Sequence, residues 1–333
     1  MAISSWRQYL LDVEARFHAG LPSIFIIIGF LGTITCIYIL FFTKYWIISA
    51  LYIIWIIIDR DTCESEGRRN PILRKYFGLP IHQSYFPIKF KLASPYQLDA
   101  NRNYMFCCFP HSIIPYGVAV IFASDHCGFK EYFPKHSYRI ATLKQSFYIP
   151  LYRELLLEFG VCCSSSRALN NLLGQPKGGN AVAVVVGGAE ESFYSNPGDY
   201  YIILQKRKGF IKLALMNGSP LVPVFTFGTN ELFYQVRHPL LDSIQKWLKI
   251  KTGIAPILFC GRGLFHNWYG WVPLKKPVIT IAGEPIEVQK TENPTQEQIE
   301  ELHTKFTEAI KNLFNTQKHK YVENAEHVDL VII

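Results

Sequence analysis

The chain has 333 residues, of which 49% are hydrophobic, and a net charge of +8. Its length suffices for one large domain or two small ones, and its apolar content is high for a soluble protein. The positive charge fits a surface that contacts anionic lipid headgroups or a polyphosphate ligand. Nucleic acid is not an expected partner, because no basic run is interleaved with aromatic residues.

The N-terminal segment 24–58 is predicted to enter a membrane, since it is apolar throughout and contains a single charge, Lys44. A spanning helix needs roughly 20 apolar residues, so this segment is too long for one pass and short for two full ones. We therefore predict a transmembrane helical hairpin with two helices that meet near Thr43 and Lys44. A single long tilted helix is the alternative.

Basic residues flank the apolar segment on both sides, which places both flanks in the cytosol by the positive-inside rule and favours the hairpin. They are Arg7 and Arg16 before it, and Arg60, Arg68, Arg69, Arg74 and Lys75 after it. The predicted organisation is a cytosolic lead at 1–20, a membrane hairpin at 21–58 and a cytosol-facing domain at 59–333. The eight cysteines lack metal-ligand spacing, so neither zinc nor a disulfide framework is expected.

The domain alternates segments typical of strands with segments typical of helices. Apolar runs at 103–109, 181–186, 220–228 and 277–283 predict strands. Helices are predicted at 114–124, at 210–218 with a terminal Gly218, and from Thr295 to Phe314, where Thr295 and Gln298 form a capping box. This alternation predicts an α/β fold with a mixed sheet flanked by helices, in which ligands collect at the carboxyl ends of strands.

His111 is the first candidate catalytic residue, because it lies where the predicted strand 103–109 ends, one residue beyond Pro110. A neutral imidazole can take a proton from a hydroxyl group, and Pro110 stiffens the turn that carries it. The alternative is an ordinary loop histidine satisfied by hydrogen bonds, since the chain contains ten histidines.

The second candidate site is the sequence VVVGGAEES at 184–192. Gly187 and Gly188 allow the backbone to approach a ligand closely. Glu190 or Glu191 could orient His111 or hydrogen-bond an acceptor substrate. A solvated acidic loop is the alternative.

A third candidate site lies at a predicted helix start, where basic residues precede Gly209. Lys206, Arg207 and Lys208 could hold phosphate together with free backbone N–H groups. An exposed basic rim would show the same pattern.

Taken together, these stretches resemble the type 2 acyl-CoA:diacylglycerol acyltransferase family, which also contains monoacylglycerol and wax-alcohol acyltransferases. The resemblance covers residues 59–321. The Pro-His-Ser stretch resembles the family's His-Pro-His-Gly signature, whose second histidine falls on His111. The stretch VVGGAEESFYSNPG resembles the family's Gly-Gly-Ala-x-Glu block, whose glutamate falls on Glu191. Further blocks are RKGFIKLALMNGSPLVPVFTFGTNELF, GRGLF and KTENPTQEQIEELH.

This chain departs from the family pattern at three positions. Phe109 replaces the first signature histidine, Ser112 replaces the glycine, and Thr229 stands where a glutamate is typical. The blocks are also distantly similar to glycerolipid acyltransferases with a His-x4-Asp motif. Here Tyr116 stands at the aspartate position, which leaves Glu191 as the candidate for that role.

The resemblance implies a glycerolipid-acyltransferase-like fold and transfer of a fatty acyl group from acyl-CoA to a neutral lipid alcohol at the endoplasmic reticulum and lipid droplets. Diacylglycerol is the expected acceptor, and monoacylglycerol or a long-chain alcohol is the alternative. It implies that His111 and Glu191 are catalytic. Acyl-CoA is a co-substrate, and no cofactor or metal is expected. The residues expected to bind CoA are Lys206, Arg207, Lys208 and Gly209, and those expected to contact substrate are Pro110, Ser112, Gly187, Gly188, Asn230 and Glu231.

Two other classes of function stay open at this point. One is a catalytically inactive lipid carrier or lipid-droplet scaffold, and the other is a hydrolase that uses water in place of the alcohol. The intact Pro-His pair and Glu191 argue against the first. Whether the protein forms a homo-oligomer, and which acyl chain it prefers, are left open by the sequence.

Overall fold

Two apolar helices precede an α/β domain in the computed structural model, which describes residues 2–77, 85 and 87–333. Helix α1 is Ala2–Phe42 and helix α2 is Trp46–Ile58. The prediction of two helices is confirmed, and the turn between them is fixed where the Thr43 hydroxyl accepts the Tyr45 N–H at 3.1 Å. At about 1.5 Å per residue, α2 is shorter than a spanning helix.

Helix α1 has the length and composition of a membrane anchor. Its stretch Trp6–Phe42 is long and apolar enough to cross a membrane. Only 11% of its most apolar 18-residue segment is buried. The first half of the same helix packs on the domain, where Ala15 and Ala19 are buried and Arg16 donates to the His266 carbonyl at 2.9 Å. The predicted boundary between residues 20 and 21 therefore falls inside one continuous helix.

The domain is built on a mixed sheet, as predicted. Among the described residues, seven strands lie in the order β1-β10-β7-β2-β5-β3-β4. Only the β10–β7 pair in this sheet is antiparallel. The strands are β1 Ile88–Leu92, β2 Tyr104–Phe109, β3 Ser137–Thr142, β4 Cys162–Cys163, β5 Asn180–Val185, β7 Leu221–Phe227 and β10 Val278–Ala282. Two small ribbons pair β6 Tyr201–Ile202 with β11 Val331–Ile332, and β8 Tyr234–Gln235 with β9 Phe259–Cys260.

Helices cover both faces of this sheet, because the parallel strands at its centre are apolar on both sides. The α-helices of the domain are α3 Pro71–Tyr76, α4 Tyr116–Ala123, α5 Phe129–Tyr132, α6 Tyr152–Glu158, α7 Ser166–Leu173, α8 Gly209–Asn217, α9 Pro239–Thr252 and α10 Gln296–Tyr321. Short 3₁₀ helices are Thr62–Glu64, Lys144–Tyr148, Gly188–Tyr194 and Ala325–His327.

The predicted helix signals are found in place. Thr295 caps α10, and the Gln298 side chain accepts the Thr295 N–H at 2.9 Å in a capping box. The helix runs on to Tyr321 instead of ending at Phe314. Helix α8 ends at Gly218, whose φ of 64° lies in the left-handed region that favours glycine. Helix α4 begins at Tyr116, two residues later than the sequence suggested.

The sheet separates two apolar cores. Helices α1 and α4 pack on one face with Ile113 and Phe122, and helices α8 and α10 pack on the other with Phe109 and Phe306. His111 comes two residues after the end of β2, so it lies at the edge where the strands β5, β2 and β7 end side by side.

Candidate active site

Three parallel strands bring the predicted site segments to one edge of the sheet. Strand β2 pairs with β5 on one side and with β7 on the other. Their carboxyl ends deliver residues 110–115, 186–191 and 228–231 to the same place. The sequence prediction that ligand-binding segments follow these strands therefore agrees with the topology.

Glu191 ties two loops together through the backbone. It is 2% exposed, and its two carboxylate oxygens accept the His111 N–H at 2.6 Å and the Ile203 N–H at 2.7 Å. Burial raises the pKa of Glu191, against the opposing effect of these two N–H donors and of Arg207. Because each oxygen accepts one backbone N–H, the two donors favour the ionised carboxylate. Glu191 thus holds the main chain of His111, whereas the sequence analysis expected it to hold the imidazole or the acceptor.

Gly187 makes room for this carboxylate. A Cβ atom at position 187 would lie 1.8 Å from Glu191 Oε1, far inside van der Waals contact. Gly188 has a φ of +67°, which favours glycine, and its surroundings are open. Gly187 therefore serves Glu191, and its contact with substrate stays a prediction.

The imidazole of His111 is held by the residue that follows it. Nδ1 lies 2.8 Å from the Ser112 carbonyl oxygen and 3.1 Å from Ser192 Oγ, which itself donates to that carbonyl at 2.7 Å. Because a carbonyl only accepts, Nδ1 carries the proton and Nε2 keeps a lone pair. Burial lowers the pKa of His111 below its usual value, and the Ser112 hydrogen bond opposes that shift. The ring is therefore neutral near pH 7.

An apolar cavity of about 230 Å³ extends from His111 to helix α1. Ala189 and Ser192 line it beside the imidazole, and α1 contributes Pro22, Phe25 and Ile26. Other lining residues are apolar side chains of the α4 face, among them Ile113, Ile114, Ala119, Leu156 and Phe159. The cavity thus joins a neutral imidazole to the helix that has the character of a membrane anchor.

Ser112 and Asn230 belong to a buried polar chain behind the His111 loop. The Ser112 hydroxyl donates to the Thr229 carbonyl at 3.1 Å and lies 3.0 Å from Ser195 Oγ, which donates to Asn230 Oδ1 at 3.1 Å. Neither Ser112 nor Asn230 is among the described residues that line the cavity. Both are placed to position the loop, and their contact with substrate stays a prediction.

Glu231 lies elsewhere. It lines a separate cavity of about 750 Å³ together with Tyr200 and Phe227, and burial raises its pKa. The structure therefore does not bring Glu231 to His111.

Pro110 joins β2 to His111 through a cis peptide bond with Phe109.

The basic residues expected to bind CoA are divided between two carboxylates. Lys206 and Arg207 approach Glu190 at 2.7 and 3.3 Å, and Lys249 approaches it at 3.3 Å. Burial alone would raise the pKa of Glu190, but the Lys206 and Lys249 ammonium groups bring it below its ordinary value. Lys208 instead pairs with Glu300 of α10, beside Gly209 at the start of α8.

Glu190 opens onto a third cavity, with a volume of about 710 Å³. Arg237, Lys246 and Lys249 line it with Glu190, and Asp199 and Asp242 are its other carboxylates. Through Glu190, the predicted cations Lys206 and Arg207 are thus connected to the charged residues of this cavity, which the sequence analysis did not identify.

Comparison with known proteins identifies the family. A family model described as diacylglycerol acyltransferase matches residues 38–332. The chain belongs to this family. One curated relative is 2-acylglycerol O-acyltransferase 1 of Bos taurus, which is 39% identical over 281 residues, with 84% of this chain and 83% of the relative covered. Another is diacylglycerol O-acyltransferase 2 of Dictyostelium discoideum, which is 40% identical over 279 residues, with 83% of each chain covered.

A solved structure of the 1-acyl-sn-glycerophosphate acyltransferase PlsC from Thermotoga maritima has a TM-score of 0.45 and 12% identity, with 94% of this chain and 98% of that chain covered. Membership in the acyltransferase family confirms the predicted class of enzyme, an O-acyltransferase.

Sequence reasoning missed two serines and one helix of this acyltransferase site. Ser192 contacts the imidazole, and Ser195 joins Ser112 to Asn230. Ser192 follows Glu191 directly, so its nearness to His111 was available from the motif. The contribution of α1 to the cavity had no such signal, because it depends on how a distant helix packs.

Phe109, which replaces a histidine of the family signature, is fully buried in the core on the α10 side, with its ring centroid 6.3 Å from that of Phe306. It lies on the opposite face from the cavity. The substituted side chain is therefore not among the described residues that line the cavity at His111.

The Glu191→Gln variant tests the role of the carboxylate. An amide offers one acceptor, so its NH2 group would face one of the two backbone N–H donors and leave that donor unpaired. We expect unfolding to become easier by about 1–3 kcal/mol and ester formation to fall with it. Thermal unfolding in detergent and acyl-transfer assays measure both effects.

Glu301→Gln is the matched control, since Glu301 is exposed on α10 and pairs only with Lys305 among the described residues. Gly187→Ala should reproduce the loss, because its Cβ would displace Glu191. Unchanged stability and activity in Glu191→Gln would contradict the assigned role.

Proposed function

We propose that this acyltransferase moves the acyl group of acyl-CoA to the hydroxyl of diacylglycerol and gives triacylglycerol, with His111 as the general base. One observation carries the proposal: the ring donates from Nδ1 to the Ser112 carbonyl and lines an apolar cavity that reaches α1. A base of this kind contributes roughly 10²–10⁴ to the rate.

The reaction is a direct transfer. His111 Nε2 accepts the hydroxyl proton while the alcohol oxygen bonds to the acyl carbon of the thioester. The carbon–sulfur bond breaks, and CoA leaves as a thiolate that takes the proton back from the imidazolium. The Nδ1–H bond to Ser112 stabilises the imidazolium while it exists, and Glu191 keeps the loop in place.

The acceptor is a neutral lipid, since the lining of the cavity is mainly apolar. Diacylglycerol is favoured by the diacylglycerol O-acyltransferase 2 relative, and monoacylglycerol is the second candidate because the 2-acylglycerol O-acyltransferase 1 relative is nearly as similar. Both acceptors place one hydroxyl next to long acyl chains, so the same cavity serves either.

The polar end of acyl-CoA binds in the cavity that Glu190 lines. The short helix Gly188–Tyr194 separates this cavity from the apolar cavity at His111. Each of Lys206, Arg207 and Lys249 becomes available to phosphate only when Glu190 releases it. Lys208 is less suited, because it already pairs with Glu300.

Helices α1 and α2 anchor the enzyme in the endoplasmic reticulum membrane, with lipid droplets as a second location and the domain in the cytosol. The exposed apolar surface of α1 and the basic residues on both flanks of the hairpin support this placement. Diacylglycerol dissolves in the same membrane, so it can reach the cavity past Phe25 and Ile26.

His111→Ala tests the proposal in microsomes at matched expression, with labelled acyl-CoA and a panel of diacylglycerol, monoacylglycerol and a long-chain alcohol. We expect the variant to lose at least about a hundredfold in ester formation, and the parent to give triacylglycerol as its main product. His327→Ala is the control, because His327 is exposed near the C-terminus. Undiminished ester formation in His111→Ala would overturn the catalytic role. A parent that releases only free fatty acid would be a hydrolase.

The pH profile of the parent enzyme tests the state of the imidazole. A general base must be neutral, and burial lowers the pKa of His111, so protonation removes activity only at a pH below the usual value of 6.5. We expect the acidic limb of kcat/KM to have its midpoint below pH 6.5. An acidic limb centred above about pH 7 would contradict this environment for the ring.

A further inference from the structure

Helix α9 has its apolar side turned outward. The exposed fractions are 66% for Leu240, 47% for Ile244, 58% for Trp247 and 77% for Ile250. These positions recur every three or four residues, so they form a single stripe along the helix. We call these four residues the α9 stripe.

The side of α9 that faces the domain is of mixed character. Gln245 is 2% exposed, and neither its amide nitrogen nor its amide oxygen has a hydrogen-bond partner among the described residues. Leu241 and Leu248 are half-buried on the same side as Gln245, and Ile250, at the margin of the α9 stripe, also lines the Glu190 cavity. A surface helix in water turns its large apolar side chains toward the core. The α9 stripe therefore lacks apolar cover among the described residues.

The chain leads from α9 into the lining of the cavity at His111. Helix α9 ends at Thr252 and is capped by Gly253, and the next residues, Ile254 and Ala255, line that cavity together with Phe25 and Ile26 of α1. The segment after α9 and the apolar helix α1 thus line the same cavity.

The charges of α9 fit the surface of an anionic lipid layer. Lys246 and Lys251 are exposed in the second half of the helix, whereas Lys249 pairs with Glu190, and Asp242 is the one acidic residue of α9. An amphipathic helix with a tryptophan in its apolar stripe and lysines at its margins is typical of helices that lie in the plane of a membrane interface. Lys251 lies at the end of the stripe, where its long stem can bring the ammonium group to the headgroups.

We propose that α9 is a second membrane contact, which lies in the interface of the bilayer that holds α1 and inserts the α9 stripe among the lipids. This contact sets the cavity against the bilayer, so that a lipid acceptor passes from the membrane to His111 without crossing water. The proposal depends on the membrane location of α1 and not on which alcohol is acylated. A second copy of this chain on the α9 stripe is an outcome that the test distinguishes.

Photo-crosslinking tests the contact without reference to activity. The full chain is reconstituted in vesicles of phosphatidylcholine and phosphatidylserine that contain a phospholipid with a diazirine in its acyl chain. We expect lipid adducts on the peptide 239–252 after illumination, and none on the peptide that carries Tyr132, an exposed aromatic residue of α5. Adducts confined to α1 and α2 would overturn the proposal.

Ile244→Gln with Trp247→Gln supplies the functional test, and Tyr132→Gln is the matched control for loss of an exposed aromatic side chain. We expect the double variant to acylate bilayer-resident diacylglycerol about tenfold more slowly, since two apolar anchors are lost. It should keep the parental rate on a short-chain diacylglycerol dissolved in detergent. A loss on both substrates would overturn the proposal, because α9 would then act through the catalytic structure.

Size-exclusion chromatography in detergent separates the membrane from a second copy of the chain. We expect the parent and the double variant to elute alike. A parent dimer that becomes a monomer in the double variant would overturn the proposal and assign the α9 stripe to self-association.

Discussion

The carboxylate of Glu191 is the constraint on which the catalytic geometry depends. It accepts the backbone N–H of His111 and that of Ile203, so it joins the loop after β2 to the segment after β6. Once this loop is fixed, the Ser112 carbonyl is fixed as well, and with it the imidazole proton on Nδ1. Gly187 is part of the same constraint, because any side chain there would occupy the space of the carboxylate.

The short helix Gly188–Tyr194 separates two different environments. Ala189 and Ser192 face the apolar cavity that reaches α1, whereas Glu190 and Phe193 face the cavity with Arg237, Lys246 and Lys249. A reaction between a lipid alcohol and a charged CoA ester needs both environments within reach of one base. In the proposed mechanism this helix keeps the acyl chains on one side and the phosphates on the other, and His111 lies at their boundary.

Local patterns predicted the fold well. The apolar strands, the capping box at Thr295 and the terminal Gly218 follow from the sequence because each depends on neighbouring residues. The family resemblance identified Glu191, but the expected contact was with the imidazole, whereas the observed contact is with the backbone N–H. Contacts between residues far apart in sequence, such as Ser195 with Ser112 or Phe25 with the cavity, depend on packing that no local pattern encodes. The outward stripe of α9 was invisible for the same reason, since an amphipathic pattern does not tell which side the core covers.

The central claim is that His111 is neutral, with its proton on Nδ1 and a lone pair on Nε2. Nitrogen NMR of protein labelled with ¹⁵N-histidine, with the His111 signals assigned by their loss in a His111→Asn variant, measures this state directly. The account predicts a protonated Nδ1 and an unprotonated Nε2 at neutral pH. A proton on Nε2, or an imidazolium at neutral pH, would contradict it.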